Sequence, residues 1–199
     1  MPRLFTALSV PEDVRTRLSL LQGGLPGARW IEPDNFHLTL SFIGRVDGRA
    51  ADDVADVLDQ IAGEMLELRI TSLGCFGSSK PRAVFAYVEQ SKDLKNLQAS
   101  IERALRRVGI TSDRRAFVPH ITLARLKNIP PQAVAKWLGQ CGHVASRRFE
   151  VDSFGLYSSK GSRGGGPYRL EDTYRFIEDG GEDAWWNSEV EEYHDHAAG

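Results

Sequence analysis

The sequence has little cysteine and no long apolar run. Its 199 residues include two cysteines, Cys75 and Cys141, which lie far apart and form no Cys-x-x-Cys pair. This spacing favours free thiols in a reducing compartment over a disulfide framework. No stretch approaches the ~18 apolar residues that a membrane-spanning helix needs. Acidic residues at 12 and 13 come too early for a secretory signal. We therefore expect a cytoplasmic protein with its own hydrophobic core.

Motifs for metals and nucleotide cofactors are missing as well. The sequence contains no HExxH, no cysteine cluster and no Rossmann glycine fingerprint. The glycine-rich segment 160–167 lacks the GxxxxGK[ST] order, so it predicts a hairpin loop rather than a phosphate-binding loop. His194 and His196 stand in an acidic stretch that predicts no fixed structure, so they are weak metal ligands, and His143 belongs to no motif. We expect no metal and no cofactor.

Charge is distributed unevenly along the chain. The formal net charge is −2, but residues 179–199 hold seven acidic residues and no Lys or Arg. This stretch shows no apolar periodicity and predicts a disordered acidic tail. Residues 1–178 then keep 25 basic against 20 acidic residues, a formal excess of about five positive charges. We expect one domain over 1–178, either a compact unit or a bilobal one whose two lobes share a cleft. Its mildly basic surface fits a polyanionic ligand, although the charge balance alone is more typical of an ordinary solvated surface.

Apolar periodicity predicts a mixture of strands and helices. Alternating or β-rich runs predict strands over 4–10, 36–43, 66–73, 83–89, 118–126, 148–157 and 168–177. Helical spacing predicts helices that begin near Pro11 and end at Gly23-Gly24, and over 50–61, 94–108 and 133–138. Hairpins and helices in this order indicate an α+β fold with antiparallel sheets.

A short pattern recurs in two of the predicted strands. The tetrad at 37–40 reads HLTL, and the tetrad at 120–123, 83 positions later, reads HITL. In a strand, residues i and i+2 lie on one face about 6.6–6.8 Å apart. Each tetrad therefore presents an imidazole and a hydroxyl on one face and two apolar side chains on the other. The recurrence indicates a duplicated unit with one tetrad in each lobe.

Two imidazoles and two hydroxyls on a common cleft suit the cleavage of a phosphodiester. The reaction needs one proton taken from the nucleophile and another given to the leaving oxygen, and imidazole supplies either form near neutral pH. The hydroxyls of Thr39 and Thr122 can donate to the phosphate oxygens. Arg125 can stabilise the developing negative charge. It lies an odd number of positions from His120, so it reaches the cleft only if the strand bulges, twists or ends there.

Several segments besides the tetrads resemble a known family, in the family's order. They are 3–18 (RLFTALSVPEDVRTRL), 30–44 (WIEPDNFHLTLSFIG), 81–88 (PRAVFAYV), 119–125 (PHITLAR) and 156–160 (LYSSK). With them the chain resembles the two-histidine (2H) phosphoesterase superfamily over about residues 3–177. It is most similar to the bacterial and archaeal RNA 2′,3′-cyclic phosphodiesterases, first described as 2′-5′ RNA ligases.

The resemblance implies a duplicated α+β fold in which two antiparallel sheets, flanked by helices, surround a central cleft. It implies metal-independent hydrolysis of a terminal 2′,3′-cyclic phosphate to a 2′-phosphate, and in reverse the formation of a 2′-5′ link. His37 would be the proton donor and His120 the proton acceptor, although the residues themselves leave that assignment open. Thr39, Thr122 and Arg125 would bind the phosphate.

Other readings of the same residues remain open. Phe76, Lys80 and Arg82 could contact RNA by stacking and charge, or could form an ordinary surface turn. The paired site could act on 2′-5′ oligonucleotides or on other cyclic phosphates. The chain could also be a module that binds RNA ends without turnover. In each case we expect a monomer.

Overall fold

Ten strands and four helices occupy the described part of the chain, which in this computed structural model is residues 3–111, 116–141, 144, 148–159 and 166–176. The strands are β1 (Arg3–Ser9), β2 (Arg29–Trp30), β3 (His37–Arg45), β4 (Leu66–Leu68), β5 (Ile70–Phe76), β6 (Ala83–Val88), β7 (His120–Arg125), β8 (Phe149–Val151), β9 (Ser153–Ser159) and β10 (Tyr168–Arg175). The helices are α1 (Glu12–Ser19), α2 (Gly48–Asp59), α3 (Lys92–Arg107) and α4 (Pro131–Gln140). The predicted tail 179–199 lies outside the described residues, as do His143, His194, His196 and residues 160–165 of the predicted hairpin loop.

The strands form two antiparallel sheets. Eight strands make the larger sheet in the order β10-β9-β1-β3-β7-β6-β5, with β2 beside the end of β7. The strands β4 and β8 make a separate two-stranded sheet. Helix α3 packs on β3, where the buried Ser41 hydroxyl donates a 3.0 Å hydrogen bond to Glu102. The predicted α+β class with antiparallel sheets is confirmed. No helix among the described residues is long and apolar enough to cross a membrane.

Two predicted strands are each divided in the structure. The predicted strand 66–73 is β4 and β5, separated at Arg69, and the predicted strand 148–157 is β8 and β9, separated at Asp152. At each break the chain moves from the small sheet to the large one. The break residues stay hydrogen-bonded, because the Arg69 carbonyl accepts from Glu89 N (2.7 Å) and the Asp152 carbonyl accepts from Phe176 N (2.8 Å). Burial alternates straight through the first of these breaks, because Leu66, Leu68 and Ile70 are buried, which is why periodicity did not show it.

Two helices differ in length from the prediction. Helix α1 ends at Ser19 rather than at the glycine pair, because Leu18 is its last buried residue. Helix α4 is longer than predicted because Pro131 occupies its first turn, where a missing N–H costs nothing. Near its end, the indole N–H of the buried Trp137 donates a 2.8 Å hydrogen bond to the carbonyl of Gly23.

Candidate active site

The two tetrads lie side by side where β3 and β7 meet. These strands pair at one position, with Leu38 opposite Ile121, and both side chains are 1% exposed and face the core. In an antiparallel pair the register continues by one residue in each direction. On the sheet face that points away from the core, that register places His37 opposite Thr122 and Thr39 opposite His120. The two histidines are then diagonal neighbours, with Cα atoms roughly 7–8 Å apart.

Both imidazoles are held in the same way by the backbone. The Nδ1 atom of His37 lies 2.8 Å from the carbonyl oxygen of Asn35, and Nδ1 of His120 lies 2.7 Å from that of Val118. A carbonyl oxygen can only accept, so Nδ1 carries the hydrogen in each ring. The Nε2 atom is therefore left to accept a proton when the ring is neutral and to donate one when the ring is charged.

The His37 ring is covered by two aromatic side chains. The Phe5 ring centroid lies 5.1 Å from that of His37, and the Tyr168 ring makes an edge contact at 4.9 Å. Asn35 links this cover to the histidine, because its side-chain oxygen accepts from Tyr168 N at 3.1 Å. The rings exclude water from the imidazole and so disfavour its charged form.

The His120 ring is covered in a similar manner by Phe76 and Phe85. The Phe76 centroid lies 4.8 Å from His120 in an edge contact, and Phe85 lies at 5.3 Å. Sequence reasoning placed Phe76 in a loop, but it is the last residue of β5 and its ring stacks on Phe85 at 4.1 Å. Lys80 and Arg82 are exposed in the connection that follows.

Burial and positive neighbours make both histidines weakly basic. Burial, together with smaller effects of the Arg125 and His120 charges, lowers the pKa of His37 from 6.5 to about 4, against the opposing effect of the Asn35 hydrogen bond. Burial also lowers the pKa of His120, again with a contribution from Arg125 and against the Val118 hydrogen bond. Both rings are therefore mainly neutral at neutral pH until an anion enters the cleft.

A β-bulge returns Arg125 to the cleft face. The register between β6 and β7 shifts between Val84 and Phe85, which makes Leu123 an extra residue in β7. Leu123 and the next residue, Ala124, are both fully buried at 0% exposure. Alternation then resumes, so Arg125 lies on the same face as the tetrad's polar side chains. The bulge is the irregularity that the odd spacing between His120 and Arg125 required. It also explains how the Arg125 guanidinium lowers the pKa of both imidazoles.

The same bulge occurs in β3, where it presents a different side chain. The register between β1 and β3 shifts at Leu40, and Leu40 and Ser41 are both 3% exposed. The next residue, Phe42, is 58% exposed and lies on the cleft face. Phe42 is thus the structural counterpart of Arg125. Sequence reasoning missed Phe42, although the signal is visible: each follows its histidine by five positions.

A second arginine lies beside Arg125. Arg29 of β2 pairs directly with Arg125, so its side chain points to the same face. Trp30 next to it contacts Trp137 at 5.6 Å between ring centroids, which fastens β2 to α4. Among the described residues, no group of three His, Cys, Asp or Glu side chains is placed to hold a metal ion.

Comparison with known proteins gives the same family twice along the chain. The family model of LigT-like phosphoesterases matches residues 8–87 and again residues 86–168. An RNA 2′,3′-cyclic phosphodiesterase of Aeropyrum pernix is 34% identical over 160 residues, 78% of this chain and 89% of that protein. One of Thermotoga maritima is 32% identical over 168 residues, 79% of this chain and 86% of that protein.

A solved structure shows the same fold. The crystal structure of E. coli LigT complexed with 3′-AMP superposes with a TM-score of 0.72 at 23% identity, over 89% of this chain and all of that one. The double family match and this superposition confirm the duplicated fold that the resemblance implied.

Proposed function

The chain belongs to the LigT-like phosphoesterase family, and we propose that it hydrolyses the terminal 2′,3′-cyclic phosphate of RNA to a 2′-phosphate. One observation carries the proposal: two imidazoles with identical backbone anchors lie diagonally across the β3–β7 junction, with Nε2 available in each. The names of the relatives support the choice of substrate.

Hydrolysis uses the two rings in opposite protonation states. His120, neutral, takes a proton through Nε2 from the water that attacks phosphorus. His37, protonated, gives its Nε2 proton to the 3′ oxygen as the bond between that oxygen and phosphorus breaks. The products are a 2′-phosphate and a 3′-hydroxyl. His37 is then neutral and His120 protonated, and proton exchange with solvent restores the starting state for the next turnover. A well-placed acid or base contributes roughly 10²–10⁴-fold each.

The other cleft residues bind the phosphate. The hydroxyls of Thr39 and Thr122, each opposite a histidine, donate to non-bridging oxygens. Arg125 adds a full positive charge and stabilises the charge that develops on phosphorus. The bound anion also raises the pKa of both histidines, which allows His37 to hold its proton in the complex. The same groups can catalyse the reverse reaction, in which a 5′-hydroxyl attacks the cyclic phosphate and a 2′-5′ link forms.

Residues beside His120 are placed to contact the RNA that carries the cyclic phosphate. Phe76 lies against His120 and offers an aromatic edge, and the exposed Lys80 and Arg82 follow it along the chain. These three residues form an RNA-contacting border on the His120 side. We also propose that the protein is a monomer and that it is cytoplasmic, since the two free cysteines among its described residues fit a reducing compartment.

Turnover of a cyclic nucleotide in the presence of EDTA tests the proposal. We expect hydrolysis of 2′,3′-cyclic AMP with 31P NMR showing 2′-AMP as the product. His37→Ala and His120→Ala are each expected to lower kcat at least ~10²-fold with nearly unchanged melting temperature. His143→Ala, outside both tetrads, serves as the matched control.

Each alternative predicts a different result in this assay. A 3′-phosphate product would contradict the proposed direction of ring opening. Binding of RNA ends without turnover would indicate a recognition module, and cleavage of 2′-5′ oligonucleotides in preference to cyclic phosphate would change the substrate. Full activity in either histidine variant would remove that histidine from the mechanism.

A further inference from the structure

Two arginines lie opposite each other on the cleft face, beyond the ring of Phe42. Arg3 of β1 pairs with Arg45 of β3, at the end of the same ladder in which Phe5 pairs with Phe42. Arg3 precedes Phe5 by two residues on β1, so the two side chains share a face. Both arginines are exposed. The cleft face of this half therefore ends in a pair of guanidinium groups.

One member of this arginine pair is connected to the catalytic centre across the sheet. Arg3 is in the same cross-strand row as Ser159 and Tyr168, two strands away. Two strand spacings place the Cα atoms of Arg3 and Tyr168 roughly 10 Å apart. The Tyr168 ring contacts His37 at 4.9 Å. The Arg3 side chain can extend toward that ring, whereas Arg45 lies one strand further away and follows His37 by eight residues on β3, with Phe42 between them. The arginine pair therefore lies at the outer end of the cleft face.

Like charges directly opposite each other on a sheet face are unfavourable, and a bound anion removes the penalty. The sheet contains one other such pair among its described strands, Arg29 opposite Arg125. In that pair the charge of Arg125 reaches both imidazoles, at the position proposed for the reacting phosphate. The arrangement of Arg3 and Arg45 thus repeats the paired arginines found where we propose that the reacting phosphate binds. Guanidinium groups bind phosphate with paired hydrogen bonds.

We propose that Arg3 and Arg45 form a second phosphate subsite, which binds the phosphodiester on the 5′ side of the terminal nucleotide. This inference rests on the proposed function, because the reacting cyclic phosphate fixes the first position. The exposed ring of Phe42 lies between the two subsites, where the ribose and base of that nucleotide would lie. A cyclic mononucleotide lacks the second phosphate. The subsite therefore selects the end of an RNA chain over a free cyclic nucleotide.

Three substrates test the subsite, because only one of them carries a charged phosphodiester on the 5′ side of the terminal nucleotide. They are 2′,3′-cyclic AMP, the dinucleotide ApA ending in a 2′,3′-cyclic phosphate, and the same dinucleotide with an uncharged methylphosphonate linkage. We expect wild-type kcat/KM to be about tenfold higher for the charged dinucleotide than for the other two, the effect of one charge-assisted contact. In the double variant Arg3→Gln/Arg45→Gln, the ratio of charged to uncharged dinucleotide should fall to about one.

Arg107→Gln provides the matched control for general loss of charge. Arg107 is exposed in the last turn of α3, the helix that covers the other face of β3. This variant should keep the wild-type ratio. Equal rates for both dinucleotides in the wild-type protein, an unchanged ratio in the double variant, or the same loss in Arg107→Gln would each overturn the subsite. Failure to hydrolyse any of the three substrates would instead refute the proposed function itself.

Discussion

Raising the pH from about 6.5 to about 8.5 is expected to lower kcat/KM for 2′,3′-cyclic AMP by about tenfold per pH unit. The proton donor His37 has its pKa lowered from 6.5 to about 4. That difference corresponds to roughly 3 kcal/mol of free energy against the charged ring. At neutral pH about one free molecule in a thousand then carries the proton on His37. Above pH 6.5 this fraction falls with every increment of pH.

The proton acceptor does not compensate on the alkaline side. His120 also has a lowered pKa, so it is already neutral above about pH 6.5 and gains nothing from a further rise. Below that pH the donor gains protons while the acceptor loses its neutral form. The optimum of kcat/KM should therefore lie on the acid side of 6.5. The profile of kcat should lie at higher pH, because the bound phosphate anion raises the pKa of His37.

Initial rates at constant ionic strength across about pH 4.5–8.5 give both profiles, and an NMR titration of the imidazoles gives the pKa values directly. Arg125→Gln should move the alkaline limb of the kcat/KM profile to higher pH, since it removes a positive charge that lowers the pKa of both rings. A His37 ring that titrates at or above 6.5, or a kcat/KM that rises from pH 6.5 to 8.5, would refute the reasoning.

Two further substitutions test the packing around the histidines. In Gly74→Ala the new Cβ would lie 2.6 Å from the Tyr87 ring and 2.8 Å from the Phe85 ring. Denaturant unfolding should therefore show a free energy of unfolding lower by about 1–3 kcal/mol. The control Gly139→Ala, in α4 with nothing within 4 Å of the new Cβ, should leave the free energy of unfolding unchanged. Asn35→Ala removes the acceptor of Tyr168 N and admits water to His37, so the alkaline limb of kcat/KM should move to higher pH. A lower melting temperature with an unmoved limb would show that Asn35 is merely structural.

Strand alternation was enough to predict the face of each tetrad, because a residue's side is fixed by the period of two. It could not predict where the alternation fails. Arg125 reaches the cleft through a bulge, and the visible hint is a small residue, Ser41 or Ala124, after the last apolar residue of each tetrad. The catalytic and phosphate-binding roles of these residues stay predictions until the variants are measured.

Apolar periodicity could not predict the division of a strand for a different reason. Leu66, Leu68 and Ile70 are all buried, so their alternation continues through the point where the chain changes sheets. What marks the break is the hydrogen bonding of Arg69, whose carbonyl serves a residue 20 positions further along the chain, Glu89. Contacts over such separations leave no local pattern in the sequence.

The single pair of Leu38 and Ile121, where β3 meets β7, has a mechanical consequence. Any rotation of one half against the other about this pair displaces atoms in proportion to their distance from it. The two imidazoles, one residue away, would barely separate, while the rims carrying Arg45 and Lys80 would travel furthest. The entrance can thus widen for an incoming strand while the spacing of the reactive nitrogens is conserved.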